Sequence, residues 1–292
     1  MALKRVLCSV LSLLLLLCAL PVLTACSGDE VQGLRIAVLD VGQSDAILIS
    51  QGEHHLLIDA GTVTARGDLL GALSALGVKT LDCLLLTHPH EDHVGNARAV
   101  IEKYTPEQLL VGGTSSDEIT YTTALDAAEK QNCPVDVLEK GDIFYLGDAK
   151  CEVLHAGGAT GENNDSVVLR VVYDERVFLF MGDAEAELED ALLDEYPAER
   201  LDCDFLKVGH HGSDTGTTAR FLEVVTPSVA AISCGEDNSY GFPHRAVLEA
   251  LDGVGAVCYR TDLSGMLIFE CDGEEIVYGS GEAFLKRKGE QE

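Results

Sequence analysis

Basic residues are scarce in this sequence: 20 Lys and Arg stand against 49 Asp and Glu, a formal charge of −29. A nucleic-acid binder would normally carry a basic stripe, and the densest basic run here is the short Lys286-Arg287-Lys288. A strongly acidic surface keeps a protein soluble and repels polyanions at long range. Tight non-specific DNA binding is therefore disfavoured, although a metal centre can still engage a single phosphate. No Cys-x-x-Cys occurs, which argues against a thiolate zinc site. Seven cysteines follow Cys26, namely Cys83, Cys133, Cys151, Cys203, Cys234, Cys258 and Cys271. An odd number cannot all pair. Cys83 and Cys258 sit inside apolar runs, where Cys acts as a small hydrophobe, so mostly buried thiols are expected, with one disulfide of unassigned pairing. Tryptophan, low-complexity tracts and Pro/Ser linkers are also absent, and nothing marks an internal domain boundary.

The N-terminus reads as an export signal. Lys4 and Arg5 precede a leucine-rich apolar stretch over 10–20, and Leu23-Thr24-Ala25-Cys26 is followed by polar residues. This is the pattern of a secretory leader, and its end resembles the lipobox of bacterial lipoproteins. That resemblance implies that Cys26 is acylated and begins the mature chain, tethering it to the membrane. A transmembrane anchor is the alternative, because 6–23 is nearly long enough to span. Either reading puts the domain outside the cytoplasmic membrane. No later apolar run reaches spanning length, so the rest is expected to be soluble. The organisation expected is a signal at 1–25, a short tether at 26–33, one domain at 34–280 and a charged C-terminal tail at 281–292.

The chain is organised around Thr87-His88-Pro89-His90-Glu91-Asp92-His93-Val94-Gly95. Four metal-ligand side chains, His88, His90, Asp92 and His93, fall within six positions. They follow an apolar strand-like run at 81–86 and precede a helix-compatible segment at 96–103, which places them on a strand-to-helix turn where α/β folds put their chemistry. Imidazole and carboxylate together suit divalent zinc, manganese or iron. A solvated turn is the bland alternative, but only nine histidines occur in the chain and three are in this hexapeptide. Asp59, Asp183 and the His210-His211 pair also end apolar runs, as loops converging on one site would.

The pattern predicts strands at 34–41, 46–50, 56–59, 81–86, 143–146, 151–155, 166–173, 177–181, 205–208, 229–233, 257–260, 266–270 and 276–278. Helices are predicted at 68–76, 96–103, 122–131, behind Asp183, at 217–225 and at 245–251. Strand-rich halves with intervening helices suggest two packed sheets with helices outside.

His88-x-His90-x-Asp92-His93, a later Gly182-Asp183 and a later His resemble the metallo-β-lactamase superfamily. Finer motifs are similar to the soluble hydrolase domain of ComEC-type competence proteins: Leu39-Asp40-Val41-Gly42-Gln43-Ser44-Asp45, Asn163-Asn164-x-Ser166, Lys207-Val208-Gly209-His210-His211-Gly212-Ser213, and Asn238-x-Tyr240-Gly241-x-Pro243-His244. The resemblance spans 34–278 and implies an α+β fold, the four-layer αββα sandwich, holding one or two metal ions at its edge. It implies that His88 and His90 bind the first metal, that Asp92 and His93 bind the second, and that Asp183 bridges them. His211, standing directly before Gly, is the expected last ligand, with His210 facing substrate. The third first-metal histidine of the lactamases is missing, and Asn163, Asn164 and Ser166 stand in its region. That replacement favours phosphate over lactam chemistry. His155 is expected to be structural, and His54 and His55 to be surface residues. His244 could be a general acid or phosphate contact, or merely a helix-entry residue.

A bound metal lowers the pKa of water to about 7 and supplies hydroxide at neutral pH. His210, His244 and Asp59 are the candidate catalytic residues, Asp59 by fixing the tautomer of a ligand histidine. Asn163, Asn164, Ser166 and Ser213 are the candidate substrate-binding residues. The expected activity is hydrolysis of a phosphodiester or phosphoester, with DNA one candidate substrate. The alternatives are a lactonase or β-lactamase, or an inactive binding lipoprotein.

Overall fold

A computed structural model describes residues 31–113, 115–158 and 163–289. The expected leader and Cys26 lie outside the described residues, as does most of the expected tether. Among the described residues no helix is long and apolar enough to cross a membrane.

The first half starts with three antiparallel strands, β1 (Val31–Val38), β2 (Ile47–Gly52) and β3 (His54–Ile58). Then come α1 (Arg66–Ala75), β4 (Cys83–Leu86), α2 (Glu91–Val94), α3 (Ala97–Tyr104), β5 (Gln108–Val111), α4 (Ile119–Gln131) and β6 (Val135–Val137). The second half runs through β7 (Ile143–Leu146), β8 (Ala149–His155), β9 (Val168–Tyr173), β10 (Arg176–Phe180), α5 (Ala186–Glu195) and α6 (Ala198–Leu201). It continues with β11 (Phe205–Lys207), α7 (Ala219–Val225), β12 (Val229–Ile232), α8 (Arg245–Gly253), β13 (Val257–Arg260) and α9 (Thr261–Ser264). The chain closes with β14 (Leu267–Cys271), β15 (Ile276–Ser280) and α10 (Gly281–Gly289). Eight strands form one sheet in the order β15-β14-β1-β2-β3-β4-β5-β6, and seven form the other, β13-β12-β11-β10-β9-β8-β7.

Alternation along each strand explains the layers, because successive side chains leave opposite faces of a sheet. Leu34, Ile36 and Val38 of β1 enter the core between the sheets, whereas Ala37 faces the core under α1, α3 and α4. On the other sheet Phe178 and Phe180 of β10 face inward, and Leu179 packs under α5, α7 and α8. Phe205 and Phe269 meet edge to face across the inter-sheet core with centroids 5.0 Å apart. Each such fully buried aromatic contributes about 2 kcal/mol of transfer free energy. Helix, sheet, sheet and helix layers make the expected αββα sandwich.

Several boundaries differ from the sequence reading. β1 begins at Val31, inside the expected tether. Residues 281–289 of the expected charged tail form α10, which anchors itself by burying Phe284 against the outer core; Arg35 stacks on that ring at 4.3 Å. The short strands β5 and β6 extend the first sheet beyond the predicted set. All seven cysteines after Cys26 are free thiols, so the expected disulfide is not formed. Burial pushes the Cys83 thiol up to about 12, as expected of an inert core residue.

Candidate metal centre

The site residues leave from one edge because their strands run in register. β3 is parallel to β4, β10 to β11, and β11 to β12. Loops after β3, β4, β10 and β11 therefore emerge together, carrying Asp59, the His88–His93 turn, Asp183 and the His210-His211 pair. β1 runs parallel to β3 through the two antiparallel pairings of β2, so its following turn brings Asp45 to the same edge.

Local backbone geometry is specialised here. A Cβ on Gly95 would lie 2.5 Å from the Val63 nitrogen and 2.6 Å from the Gly61 carbonyl, so only glycine lets α2 seat against that loop. Gly182 has φ +55° and would press a Cβ to 2.9 Å from Ser166 Oγ, which makes glycine the residue that can precede Asp183. Asp59 (φ 60°), His210 (φ 46°) and His211 (φ 53°) take left-handed backbone without that freedom. Such conformations cost of order 1–3 kcal/mol and persist where surrounding structure over-determines them.

Asp92, His93, Asp183 and His211 converge, as do His88, His90 and Asp183. In the set of four His93 Nε2 is 3.2 Å from Asp183 Oδ1, and His211 Nε2 is 3.3 Å from Asp92 Oδ2 and 3.7 Å from Asp183 Oδ1. Donors bound at 2.0–2.2 Å to one tetrahedral ion would stand about 3.4 Å apart, in the middle of these separations. His93 Nε2, His211 Nε2 and Asp183 Oδ1 are buried and make no hydrogen bond. Orphaned buried polar atoms aimed at one another call for a missing partner, and a divalent ion is one. In the set of three His88 Nε2 lies 3.0 Å from His90 Nδ1 and 3.8 Å from Asp183 Oδ2, so Asp183 offers one oxygen to each set. The residues fit a pair of ions sharing Asp183.

Neighbouring groups decide which imidazole nitrogen is free to bind. His93 Nδ1 donates to Asp59 Oδ2 at 2.7 Å, leaving Nε2 as the lone-pair atom. His211 Nδ1 lies 3.0 Å from the Ser233 carbonyl oxygen; that oxygen can only accept, so Nδ1 carries the proton and Nε2 faces the cluster. His88 Nδ1 is served by two hydroxyls, Thr87 Oγ1 at 3.2 Å and Ser166 Oγ at 3.3 Å.

Charges are strongly coupled. Burial alone would raise the Asp183 carboxyl, yet the imidazoles of His93 and His211 hold it well below the usual carboxylate range. Burial likewise opposes ionised His93 and His211, but Asp183 with Asp59 lifts the first well above its ordinary value, and Asp183 with Asp45 lifts the second to about 10. Burial and the adjacent His93 push His88 well below.

Other candidates fall behind or beside the clusters. Asp59 is fully buried and bonded to Thr87 and His93, so it acts through His93 and has no path to substrate. Ser166 is equally buried; its hydroxyl accepts from the Asp183 N–H at 3.0 Å and meets His88, which makes it a ligand support, not the expected substrate contact. Ser213 is buried too and takes both the N–H and the hydroxyl of Thr215. The Asn163 amide donates to Glu185 Oε1 at 3.1 Å, and Asn164 Oδ1 accepts from the Glu185 N–H at 2.9 Å. Glu185 in turn stands 3.2 Å from His210 Nδ1. The Asn pair thus orders the acid that faces His210. His210 itself is partly exposed and turns Nε2 toward Asp183 Oδ2 at 3.9 Å. His244 directly precedes α8, pairs with Asp214 at 2.8 Å and touches Phe242. His155 ends β8 outside both clusters. Sequence reasoning assigned no role to Thr87, Glu185, Asp45 or Lys207. The last two lay within the quoted motifs, but nothing local says that they meet.

The profile of the metallo-beta-lactamase superfamily matches residues 39–236. The chain belongs to that superfamily. It is thus a metal-dependent hydrolase of the metallo-β-lactamase class, and the two His/Asp clusters are its candidate metal centre. The chain is 28% identical over 253 residues to ComE operon protein 3 of Bacillus subtilis and 32% identical over 235 residues to competence protein ComA of Neisseria gonorrhoeae. Each similarity covers 80% of this chain and 32% of the relative, so the chain spans about a third of their length. Among solved structures, the metallo-beta-lactamase fold protein YhfI from Bacillus subtilis is similar with a TM-score of 0.52 at 12% identity, covering 78% of this chain and 96% of that one. CmlA, a diiron beta-hydroxylase from Streptomyces venezuelae, is similar with a TM-score of 0.54 at 13% identity, over 82% of this chain and 54% of that one. These structural likenesses concern the fold alone.

Proposed function

We propose that this metallo-β-lactamase-superfamily chain hydrolyses a phosphodiester or phosphoester with a small alcohol portion, as an exported lipoprotein tethered through Cys26. One observation carries the substrate class: among the described residues the first cluster has only His88, His90 and Asp183, with the Ser166 hydroxyl alongside them. Three protein donors leave a coordination position for a substrate oxygen. A phosphoryl group offers non-bridging oxygens to both clusters at once, whereas a lactam offers a single carbonyl. A divalent pair, zinc by donor type with manganese or iron as alternatives, would supply Lewis acidity and an activated water. His210, held by Thr215 and Glu185, would transfer a proton to the leaving oxygen.

A cleft of about 530 Å³ adjoins Asp92 and supports the small-substrate reading. Its lining includes Asp68, Glu91, Gln43 and Tyr240 and no Lys or Arg. Non-specific DNA affinity comes largely from counterion release through Lys and Arg, which neither this cleft nor the −29 chain provides well. DNA is the second reading, favoured by the names of the competence relatives. The experiment compares the metal-loaded protein on bis-p-nitrophenyl phosphate, single-stranded DNA and a chromogenic cephalosporin. The expected order is that order, with DNA cleavage weak or strongly salt-dependent. Cephalosporin opening without phosphodiesterase activity overturns the proposal, and rapid DNA cleavage at moderate salt overturns its small-substrate half. For export, mass spectrometry of the membrane fraction should find a chain beginning at acylated Cys26 and a Cys26→Ala chain released or unprocessed; an intact 1–25 segment on the membrane-bound protein would favour the anchor.

A further inference from the structure

Lys207 is a charged side chain in the middle of the sandwich. By strand alternation it follows Phe205 into the layer between the sheets, and it is 1% exposed. Its Nζ donates to Asp45 Oδ2 at 2.8 Å and to the Val208 carbonyl at 3.0 Å, and Asp45 is 1% exposed as well. Asp45 comes from the turn after β1 in one sheet, and Lys207 ends β11 in the other. The ion pair therefore joins the two halves from which the ligands come. The remaining Asp45 oxygen, Oδ1, is buried without a hydrogen bond and lies 3.4 Å from His211 Nδ1. Around it, the Asp45 N–H donates to the Asp92 carbonyl at 3.2 Å, the Gly61 N–H donates to the Asp45 carbonyl at 2.8 Å, and Ser233 Oγ donates to the Ser44 carbonyl at 2.7 Å.

We propose that the Asp45–Lys207 pair is the positioning device of the Asp92–His93–Asp183–His211 cluster, setting His211 across the seam between the sheets. Asp45 Oδ1 and the Ser233 carbonyl form a two-acceptor seat for His211 Nδ1–H, which leaves Nε2 no orientation but toward Asp92 and Asp183. The Lys207 ammonium fixes where Asp45 stands. It also supplies the cation for a third acidic group: Asp45, Asp59 and His93 have ligand atoms within 4.8 Å of one another, yet Asp45 Oδ2 is taken by Lys207. The ammonium is thus a resident charge, and metal stoichiometry stops at two ions per chain.

The pair is tested by titrating cobalt(II) and zinc into the full domain against a competing chelator, following the cobalt d–d spectrum and the Tm. Asp45→Asn and Lys207→Met each strand one buried charge, so the informative variant is Asp45→Asn/Lys207→Met, which removes both. A positioning role predicts that this double variant folds, keeps the first cobalt site, and loses about 10–100-fold in affinity at the second with an altered spectrum, the range typical of groups that orient a ligand histidine. A folded double variant whose two affinities and spectrum match the parent overturns the proposal. So does one that stays unfolded even at saturating metal, because the pair would then hold the fold and not the ligand. In the parent protein, a third tight cobalt site would refute the resident-charge half.

Discussion

The two clusters share Asp183 but are held with different firmness. At Asp92, His93, Asp183 and His211, both imidazoles are braced by full acceptors, Asp59 at 2.7 Å and the Ser233 carbonyl at 3.0 Å. At the other cluster, His88 Nδ1 meets two hydroxyls among the described residues, at 3.2 and 3.3 Å. Charge-assisted hydrogen bonds are roughly twice as strong as neutral ones. The braced cluster should therefore hold its ion through purification, while the other exchanges.

The sharpest way to break this comparison is at the shared carboxylate. Asp183→Ala should lose both ions and about 10³-fold or more in turnover, since metal charge stabilisation is worth several kcal/mol. Asp92→Ala should lose only one ion while also losing activity. Metal counts by plasma emission on both variants check this; an Asp183→Ala protein retaining two ions would contradict the sharing. A finer cut compares the braces. Asp59→Asn should weaken the second ion about 10–100-fold, with Ser166→Ala costing the first ion much less, as read by competitive chelation. Equal losses would erase the distinction between the clusters.

The smallest effect is one of pH. His211 is raised from its ordinary 6.5 to about 10, so its contribution to the metal-free fold is complete below pH 6.5 and disappears as pH rises through about 10. Asp183 and Asp92 are depressed below 3.8, so their contributions hold above that pH and are lost as pH falls through their lowered values. The Tm of metal-free protein should fall between pH 6.5 and 10, by roughly 2–4 °C for each kcal/mol lost. Metal loading should flatten that limb, because binding displaces the same protons. A metal-free Tm that climbs over this range would be the contrary result.

The His88–His93 turn was legible because its ligands crowd one hexapeptide behind an apolar strand, and Asp183 and His211 were legible as polar residues ending apolar runs. The Asp45–Lys207 pair was not, since its members are 162 residues apart and a lone Lys at a strand end reads as exposed. Ser166 and Ser213 were read as substrate contacts because a small hydroxyl near a ligand looks the same in sequence whether it faces forward or back. β6 escaped the pattern because it is a three-residue edge with Val135 and Val137 exposed, giving no alternation to detect. α10 was hidden by Lys286-Arg287-Lys288, although a single buried Phe284 suffices to seat it.

The return of β14 to β1 has a consequence for synthesis. Arg35 and Glu270 face each other across that pairing, 235 residues apart, joined at 3.0 Å. β1 cannot gain its second neighbour until the chain has been made as far as Cys271. Pairings of such long range form late, after the entropy of closing a very large loop has been met. The turn after β1 carries Asp45, so the strand that presents Asp45 to His211 gains its second neighbour only after every ligand residue has been made. The geometry of the centre is thereby tied to a long-range pairing that closes after all of its ligands are in place along the chain.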